Sequence, residues 1–566
     1  MNKQLLTELA AMLPKNSAGA APEILTDESP EYEEKRKIFN TRFQFRPSAI
    51  VLVETTEQVS EIVKFANRFP TEITLRVRSG GHDHEGECSG TDTLLIDFSK
   101  MKSVKVGGRA ADGAHLVTIG PGARFECIKP SLDKHHIGIA HGTCETVGIT
   151  GYTLGGGWGP WTRRHGMGSE RLVGATLVLG NGEITTLGPE EPTNIAEKKL
   201  LWALRGGGGL SYGIVTELTF KAFELPETTC TFVLNCKEAW PDLKALEILQ
   251  CWEKAISAKE NPQLLGTNLK VVAVHLPAGQ KPNPDASLEC IFNGYFAGTK
   301  DEASQMLARY FGKAPPDEAW MVDTQRAPAT DSQEAVHSEQ WLFDHWDHHV
   351  PGEVKRLKQL ATASTPNHLG IIKLLEAGPA PHKITSRLAD ASWDDESRKA
   401  LICALQSPLV APSRDVAEDD ESNKFPIAQY ITLGAITGPF YATYDERKEE
   451  NPPSAFPYKD RLFTLQFQAW WDEYLNSDWK PKAEYSKEVI EKSILANRPW
   501  VNRAEDWIEA CRDYSIPHTS GAFINFKDSS VRTETYFAES YEELREVKQT
   551  YSMDKHMLLR SGKTII

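Results

Sequence analysis

The chain of 566 residues has nine cysteines and no Cys-x-x-Cys pair among them. They stand singly at 88, 127, 144, 230, 236, 251, 290, 403 and 511. That spacing suggests neither a zinc ribbon nor a thioredoxin-like site, and an odd count over this length does not make a disulfide framework. Most read as small buried apolar residues. No Asn-x-Ser/Thr sequon occurs, which favours an intracellular protein. No apolar run approaches the roughly 20 residues that span a bilayer. The N-terminal MNKQLLTELAAMLPKNSAGAAPE is interrupted by Thr7 and Glu8, so it is a poor signal-peptide core. Its Leu5, Leu6, Leu9, Met12 and Leu13 fit one face of a short helix instead. These absences lead us to expect a cytoplasmic location. Positive charge is in deficit, 63 Lys and Arg against 78 Asp and Glu, for a net −15. An acidic surface repels phosphate, so neither nucleic acid nor an anionic membrane is expected as a partner. Internal repeats and sustained heptads are also missing, and nothing sets an oligomeric state.

What is present is ordinary globular composition, 40% hydrophobic and 25% charged, in a chain long enough for two or more domains. Residues 49–53 read as a buried strand, Thr55 and Gln58 have capping-box spacing, and Val59, Ile62, Val63 and Ala66 follow at helical spacing. A second strand, 73–77, runs into Ser79-Gly80-Gly81. Further strands are expected at 93–97, 103–106, 115–119 and 214–220. Asn181-Gly182 between two β-rich arms signals a hairpin. Beyond about 225, strands such as 231–234 and 269–274 alternate with longer helical patterns, while 375–425 and 445–460 are rich in Pro, Asp, Glu and Ser and read as loops.

Two segments carry chemistry. RVRSGGHDHEG (76–86) ends a strand on two glycines with a histidine directly after. Successive amides in such a turn form a nest for a pyrophosphate, although the spacing is not GxGxxG. Alone, it is a tight bend with a polar tip. HGTCETVGITGYTLGGGWGPWTRRHG (141–166) places glycines where backbone can approach a flat ligand. Alone, it is a glycine-rich loop packed on protein.

Together the two segments resemble the FAD-linked oxidases of the vanillyl-alcohol oxidase superfamily, and among these the berberine-bridge-enzyme-like branch. The residues that match are Arg78-Ser79-Gly80-Gly81-His82 and Gly142-Thr143-Cys144-Glu145-Thr146-Val147-Gly148. The resemblance continues through residues 201–220, 522–528 and 536–551, and is thin across 226–500. It implies an α+β fold: a two-part PCMH-type FAD-binding domain plus an antiparallel-sheet substrate domain covered by helices. In that reading 1–42 is an N-terminal extension, 43–225 the FAD domain, 226–500 the substrate domain, and 501–566 a closing strand and helix that complete the FAD domain. It implies FAD bonded through His82 to the flavin 8α-methyl and through Cys144 to flavin C6. The cofactor would also meet Arg78, Ser79, Gly80, Gly81, Val147, Gly148, Tyr152, Gly155, Gly156, Gly157, Gly213, Ile214, Val215 and Asn525. A thiolate is the nucleophile in such attachment, which sets Cys144 apart from the other cysteines. A small organic substrate, an alcohol, amine or secondary-metabolite intermediate, would pass hydride to flavin N5, with cyclisation within the branch's range and O2 a candidate acceptor.

Departures from the branch are specific. His84 stands where many relatives have tyrosine, and Tyr152 where many have histidine. Sugar-oxidising relatives use a tyrosine in Y-x-N-Y as part of the base; here the segment is Phe523-Ile524-Asn525-Phe526. Tyr152 or His84 is then the expected base, since Gln466 and Gln468, at substrate-facing positions, cannot serve at ordinary pH. Ile149 occupies a position tied to oxygen access, which leaves oxidase and dehydrogenase behaviour both open. Three competing signals stand beside this reading. DHWDHH (344–349, opening on Asp344 and closing on His349) has the ingredients of a metal-dependent hydrolase or lyase site without HExxH spacing. Gly209-Leu210-Ser211-Tyr212-Gly213 matches the G-x-S-x-G elbow but precedes a strand rather than a helix. The altered base positions also fit a non-catalytic flavin-binding protein.

Overall fold

The computed structural model describes residues 2–189, 194–257, 261–316, 320–325, 378–412, 427–445, 453–475 and 487–565. The strand–helix–strand unit expected near the N-terminus is present. Strands Ala49–Leu52 and Leu75–Arg78 flank the central strand Leu94–Asp97, both parallel to it, and Glu23–Leu25 adds an antiparallel edge. Helix Thr56–Arg68 connects the first two; Thr55 accepts from Gln58 N at its start. The Gln58 carboxamide oxygen reaches one residue further back than a capping box requires, to Glu54 N. Val59, Ile62, Val63 and Ala66 are fully buried against the sheet, as the 3.6-residue spacing demands.

A five-stranded antiparallel sheet follows, in the order Val104–Arg109, His115–Ile119, Ile214–Lys221, Leu172–Val178, Ile184–Leu187. The hairpin at Asn181-Gly182 turns through a loop closed by Gly182 N→Leu179 O and Leu179 N→Glu183 O, with Gly182 at φ +87°. This is the three-residue loop with a glycine bulge.

Residues beyond 225 build an eight-stranded antiparallel sheet, ordered Trp320–Gln325, Thr228–Asn235, Cys290–Ala297, Leu264–Val272, Ile427–Ala435, Phe463–Trp471, His382–Ala389, Thr519–Ser520. Period two divides its faces. Leu269, Val271, Ile431, Leu433, Leu465 and Phe467 join one apolar core with helices Ala245–Ile256, Lys300–Phe311, Asp395–Ala404 and Lys487–Asp513. Asn268, Lys270, Thr432, Gln466 and Gln468 alternate with them and line a cavity on the opposite face.

Two expectations are corrected. Residues 375–425 are not simply loop, because strand His382–Ala389 and helix Asp395–Ala404 lie there. The strand's two cationic side chains find their partners across the fold: Lys383 pairs with Glu509, and Arg387 donates to the carbonyls of Cys511 and Arg512. Nor do residues 522–528 form a strand; they make the one-turn 3-10 helix Ile524–Phe526, followed by the expected helix Tyr541–Tyr551. Among the described residues no helix is long and apolar enough to cross a membrane.

Candidate active site

The two glycine-bearing segments interlock. A Cβ on Gly80 would collide with Gly148 N, and one on Gly148 with Gly80 N and Ser79 Oγ. Backbone therefore packs on backbone, which explains why both positions lack a side chain. Ser79 Oγ and Thr150 Oγ1 both donate to Pro121 O, at 2.6 and 2.8 Å, pinning the two turns to one carbonyl. Gly148→Ala should pry them apart, at a cost of roughly 1–3 kcal/mol for overpacking. Thermal unfolding of parent and variant checks this, and an unchanged melting temperature would contradict the interlock.

The interlock brings His82 and Cys144 to a common point. His82 Nε2 lies 2.9 Å from Thr146 Oγ1, and Cys144 Sγ lies 3.2 Å from the same oxygen. Phe39 stacks on the His82 ring at 3.8 Å. Burial, reinforced by His84 and Arg124, holds His82 well below 6.5, so the ring is neutral and nucleophilic. Cys88 also lines the cavity, but burial pushes its thiol up to about 12, which leaves it inert.

His84 is part of a second constellation. His382 Nδ1 lies 2.9 Å from Ala380 O, a carbonyl that can only accept, so Nδ1 carries the proton and Nε2 is an acceptor. His84 Nδ1 is 2.9 Å from that Nε2 and must donate to it. The neutral His84 ring is thereby left with its lone pair on Nε2. Burial lowers its pKa to about 4. Asn40 ties the pair together, donating to the carbonyls of His84 and His382 and accepting from His382 N. Trp470 stacks on His382 at 3.9 Å, and Phe526 on His84 at 5.7 Å.

Asp83, between His82 and His84 in the chain, pairs with Lys527 at 2.7 Å, and Lys527 also meets Glu87 at 2.9 Å. Ser561 donates to Glu87 as well. The three charged side chains are only 13–17% exposed, and all three line the cavity.

A cavity of about 350 Å³ joins these parts. From the sequence-assigned set it is lined by Ser79, Gly80, Gly81, His82 and His84 on the first turn, and by Cys144, Val147, Gly148, Tyr152 and Gly155 on the second. Gly213, Ile214 and Val215 enter from the five-stranded sheet, Asn525 from the 3-10 turn, and Gln466 and Gln468 from the eight-stranded sheet. Three assigned residues stand behind its wall instead. Arg78 spends its guanidinium on Asp97 at 2.6 Å and on the carbonyls of Lys35 and Lys37. Gly156 and Gly157 make room for protein, Phe456 and Phe523 at one and the Tyr152 ring at the other. The Asn525 carboxamide is itself committed, accepting from Gly157 N and donating to the carbonyls of Gly151 and Tyr152. Burial pushes the Tyr152 phenol well above 10, and its hydroxyl has no hydrogen-bond partner among the described residues. The Gln468 carboxamide donates to Thr432 through one of its two N–H groups and accepts from Trp470 and Tyr430.

These residues suit a flat dinucleotide cofactor. Gly81 at φ +81° opens the amide turn after the strand. Gly151 and Gly209 line the cavity with bare Cα faces, and a Cβ on either would meet no protein atom within 4 Å. A planar ring system can lie against such backbone, and the His82–Cys144 pair supplies two nucleophiles at one edge.

Sequence reasoning missed Phe39, Asn40, Thr146, His382 and Lys527. Thr146 and Lys527 lie inside segments that carry the resemblance; Phe39, Asn40 and His382 had no local signal. DHWDHH, residues 344–349, lies outside the described residues. Among the described residues no group of three His, Cys, Asp or Glu is arranged to hold a metal. Ser211 is buried, and its hydroxyl accepts from Ile565 N.

Comparison with known proteins bears on the family and the fold. Residues 47–188 match the family described as FAD binding domain, and residues 522–560 the family described as berberine and berberine like. The chain is 30% identical over 537 residues to an uncharacterized FAD-linked oxidoreductase of Bacillus subtilis (strain 168), covering 93% of each. It belongs to the berberine-bridge-enzyme-like family of FAD-linked oxidoreductases. A glucooligosaccharide oxidase of Sarocladium strictum is 32% identical over 237 residues, 41% of this chain and 45% of that protein. The match thus spans under half of that oxidase. A glucooligosaccharide oxidase structure from Acremonium strictum, described as carrying 6-S-cysteinyl, 8α-N1-histidyl FAD, superposes with a TM-score of 0.66 at 20% identity, over 99% of this chain and 98% of that one.

Proposed function

We propose that this enzyme holds FAD by two covalent bonds, through His82 Nδ1 and Cys144 Sγ, and oxidises a small hydroxyl-bearing substrate with His84 as the base. The observation that carries the attachment is the convergence of His82 and Cys144 on the Thr146 hydroxyl. With Nε2 of His82 turned to Thr146, Nδ1 is the ring nitrogen left for the bond, the same nitrogen named for the Acremonium enzyme. Flavin, when bound, supplies a two-electron acceptor for the substrate's hydride.

The chain's residues do the rest. His84, oriented by His382, accepts the substrate hydroxyl proton at Nε2. Tyr152 is the weaker base, because a buried phenol held well above 10 is already protonated at neutral pH. The amide and hydroxyl row of Asn268, Asn293, Thr432, Gln466 and Gln468 on the sheet face favours a polar, hydroxylated substrate over an apolar amine. O2 is the acceptor this reading gives the reduced enzyme, in line with relatives named as oxidases.

Denatured, precipitated protein should remain yellow and gain the mass of FAD. Either His82→Ala or Cys144→Ala should keep one link and lose the other, as seen in flavin-bearing peptides after digestion. A colourless denatured parent would refute the attachment. Screening hydroxylated compounds and amines for anaerobic bleaching tests the substrate class, which fails if only amines bleach the enzyme.

A further inference from the structure

The link between the two attachment residues deserves a role of its own. Thr146 sits two residues after Cys144 and faces His82 across the interlocked turns, its oxygen 3.2 Å from one nucleophile and 2.9 Å from the other. A hydroxyl has one proton to give and lone pairs to receive. If Thr146 receives the Nε2 proton of His82, its own proton points at Cys144 Sγ. That orientation has two consequences. The His82 tautomer with hydrogen on Nε2 keeps its lone pair on Nδ1, where a nucleophile must have it. The Sγ facing a hydroxyl donor is stabilised as thiolate, the reactive form of a cysteine. The opposite orientation would put the proton on Nδ1 and leave Sγ as a thiol, disarming both.

We infer that Thr146 is a positioning residue for flavin attachment: accepting from His82 Nε2–H and donating to Cys144 Sγ, it sets both nucleophiles in their reactive protonation states at once. The inference rests on the two-bond reading above. Each new bond replaces one C–H of the flavin; the protons, including that of the Cys144 thiol, leave to solvent, and the two electrons released per bond pass to O2, the acceptor named above, while Thr146 keeps its own proton throughout. The surroundings are consistent. Phe39 covers the His82 ring, and the Ser79–Pro121 and Thr150–Pro121 bonds fix the two turns that carry the three side chains.

The test compares parent, Thr146→Ser and Thr146→Val during expression, following covalent flavin by intact mass and each link by digestion and peptide mass. Thr146→Val keeps the side-chain shape and removes the hydroxyl. Loss of a hydrogen bond to a charged sulfur, about 1.5–3 kcal/mol, corresponds to attachment slowed roughly tenfold or more. Both links should slow together, and Thr146→Ser should restore the parent rate. Thr146→Val in a Cys144→Ala background isolates the histidyl link, which should still slow. Melting temperatures within a few degrees of the parent show that the variants fold. Parent-like rates for both links in Thr146→Val would overturn the role of Thr146 while leaving the two-bond reading standing. Slowing of the cysteinyl link alone would overturn the shared orientation. A parent enzyme without covalent flavin would instead remove the reading beneath it.

Discussion

His84→Gln is expected to slow substrate-driven bleaching of the flavin by roughly 10²- to 10⁴-fold, the usual worth of a positioned general base, with the flavin still attached. The expectation follows from the tautomer chain. Ala380 O fixes the proton on His382 Nδ1, His382 Nε2 then accepts from His84 Nδ1, and the His84 lone pair is left on Nε2. Glutamine retains a donor for His382 but has no titratable nitrogen. The pH profile gives an independent signature. Burial disfavours the imidazolium, so His84 titrates at about 4 rather than 6.5. The base is competent above that value, and the rate should fall as pH drops through about 4, well below where an ordinary histidine limb would appear. His382→Phe leaves His84 Nδ1–H without its acceptor, frees the other tautomer, and should give a smaller loss than His84→Gln. Parent-like bleaching by His84→Gln would dismiss His84 as the base, and an acid limb near 6.5 would dismiss the buried neutral state.

What could be read from sequence was local. The strand–helix unit announced itself through Val59, Ile62, Val63 and Ala66, and the hairpin through Asn181-Gly182, because neighbouring residues determine both. His82 and Cys144 were legible only because their two glycine segments, each bland by itself, together resemble those of a known family. The partners that give these residues their chemistry were not legible, since they arrive across the fold. His382 meets His84 over 298 positions, and Asn40 meets His382 over 342. Phe39 and Asn40 fall in what read as a plain N-terminal extension, yet Phe39 N donates to Gly81 O and its ring covers His82. The strand His382–Ala389 was hidden for a related reason: its Lys383 and Arg387 find their partners on a helix more than a hundred residues away. Arg78 shows the converse error. A cationic residue beside a ligand turn looks like a ligand contact, but here it is a brace between Asp97 and the carbonyls of Lys35 and Lys37.

Lys527→Met should be among the most damaging single changes to stability. It leaves Asp83 and Glu87, now 2.7 and 2.9 Å from an ammonium, as neighbouring carboxylates with little access to water. Breaking a buried pair by removing one partner costs about 3–5 kcal/mol, chiefly from the uncompensated charge left behind. The sign of the pH dependence distinguishes this from lost packing. In the parent, Lys527 lowers the Asp83 pKa from 3.8 despite the opposing effect of burial. The ion pair's contribution is therefore complete above the unfolded value of 3.8 and is lost as pH falls through the lower folded one. In Lys527→Met the amides of Glu85 and Glu87 still donate to Asp83, but without the ammonium burial prevails, so Asp83 takes up a proton more readily in the fold than in the unfolded chain. The variant's deficit should then be largest at neutral and alkaline pH and shrink toward pH 4, as protonation relieves the stranded charge. Thermal unfolding of both proteins across that range measures it. A deficit that stays constant with pH would mean that Lys527 contributes through its packed stem. A deficit that closes on acidification would show that Lys527, from the C-terminal segment, acts on Asp83 through its charge.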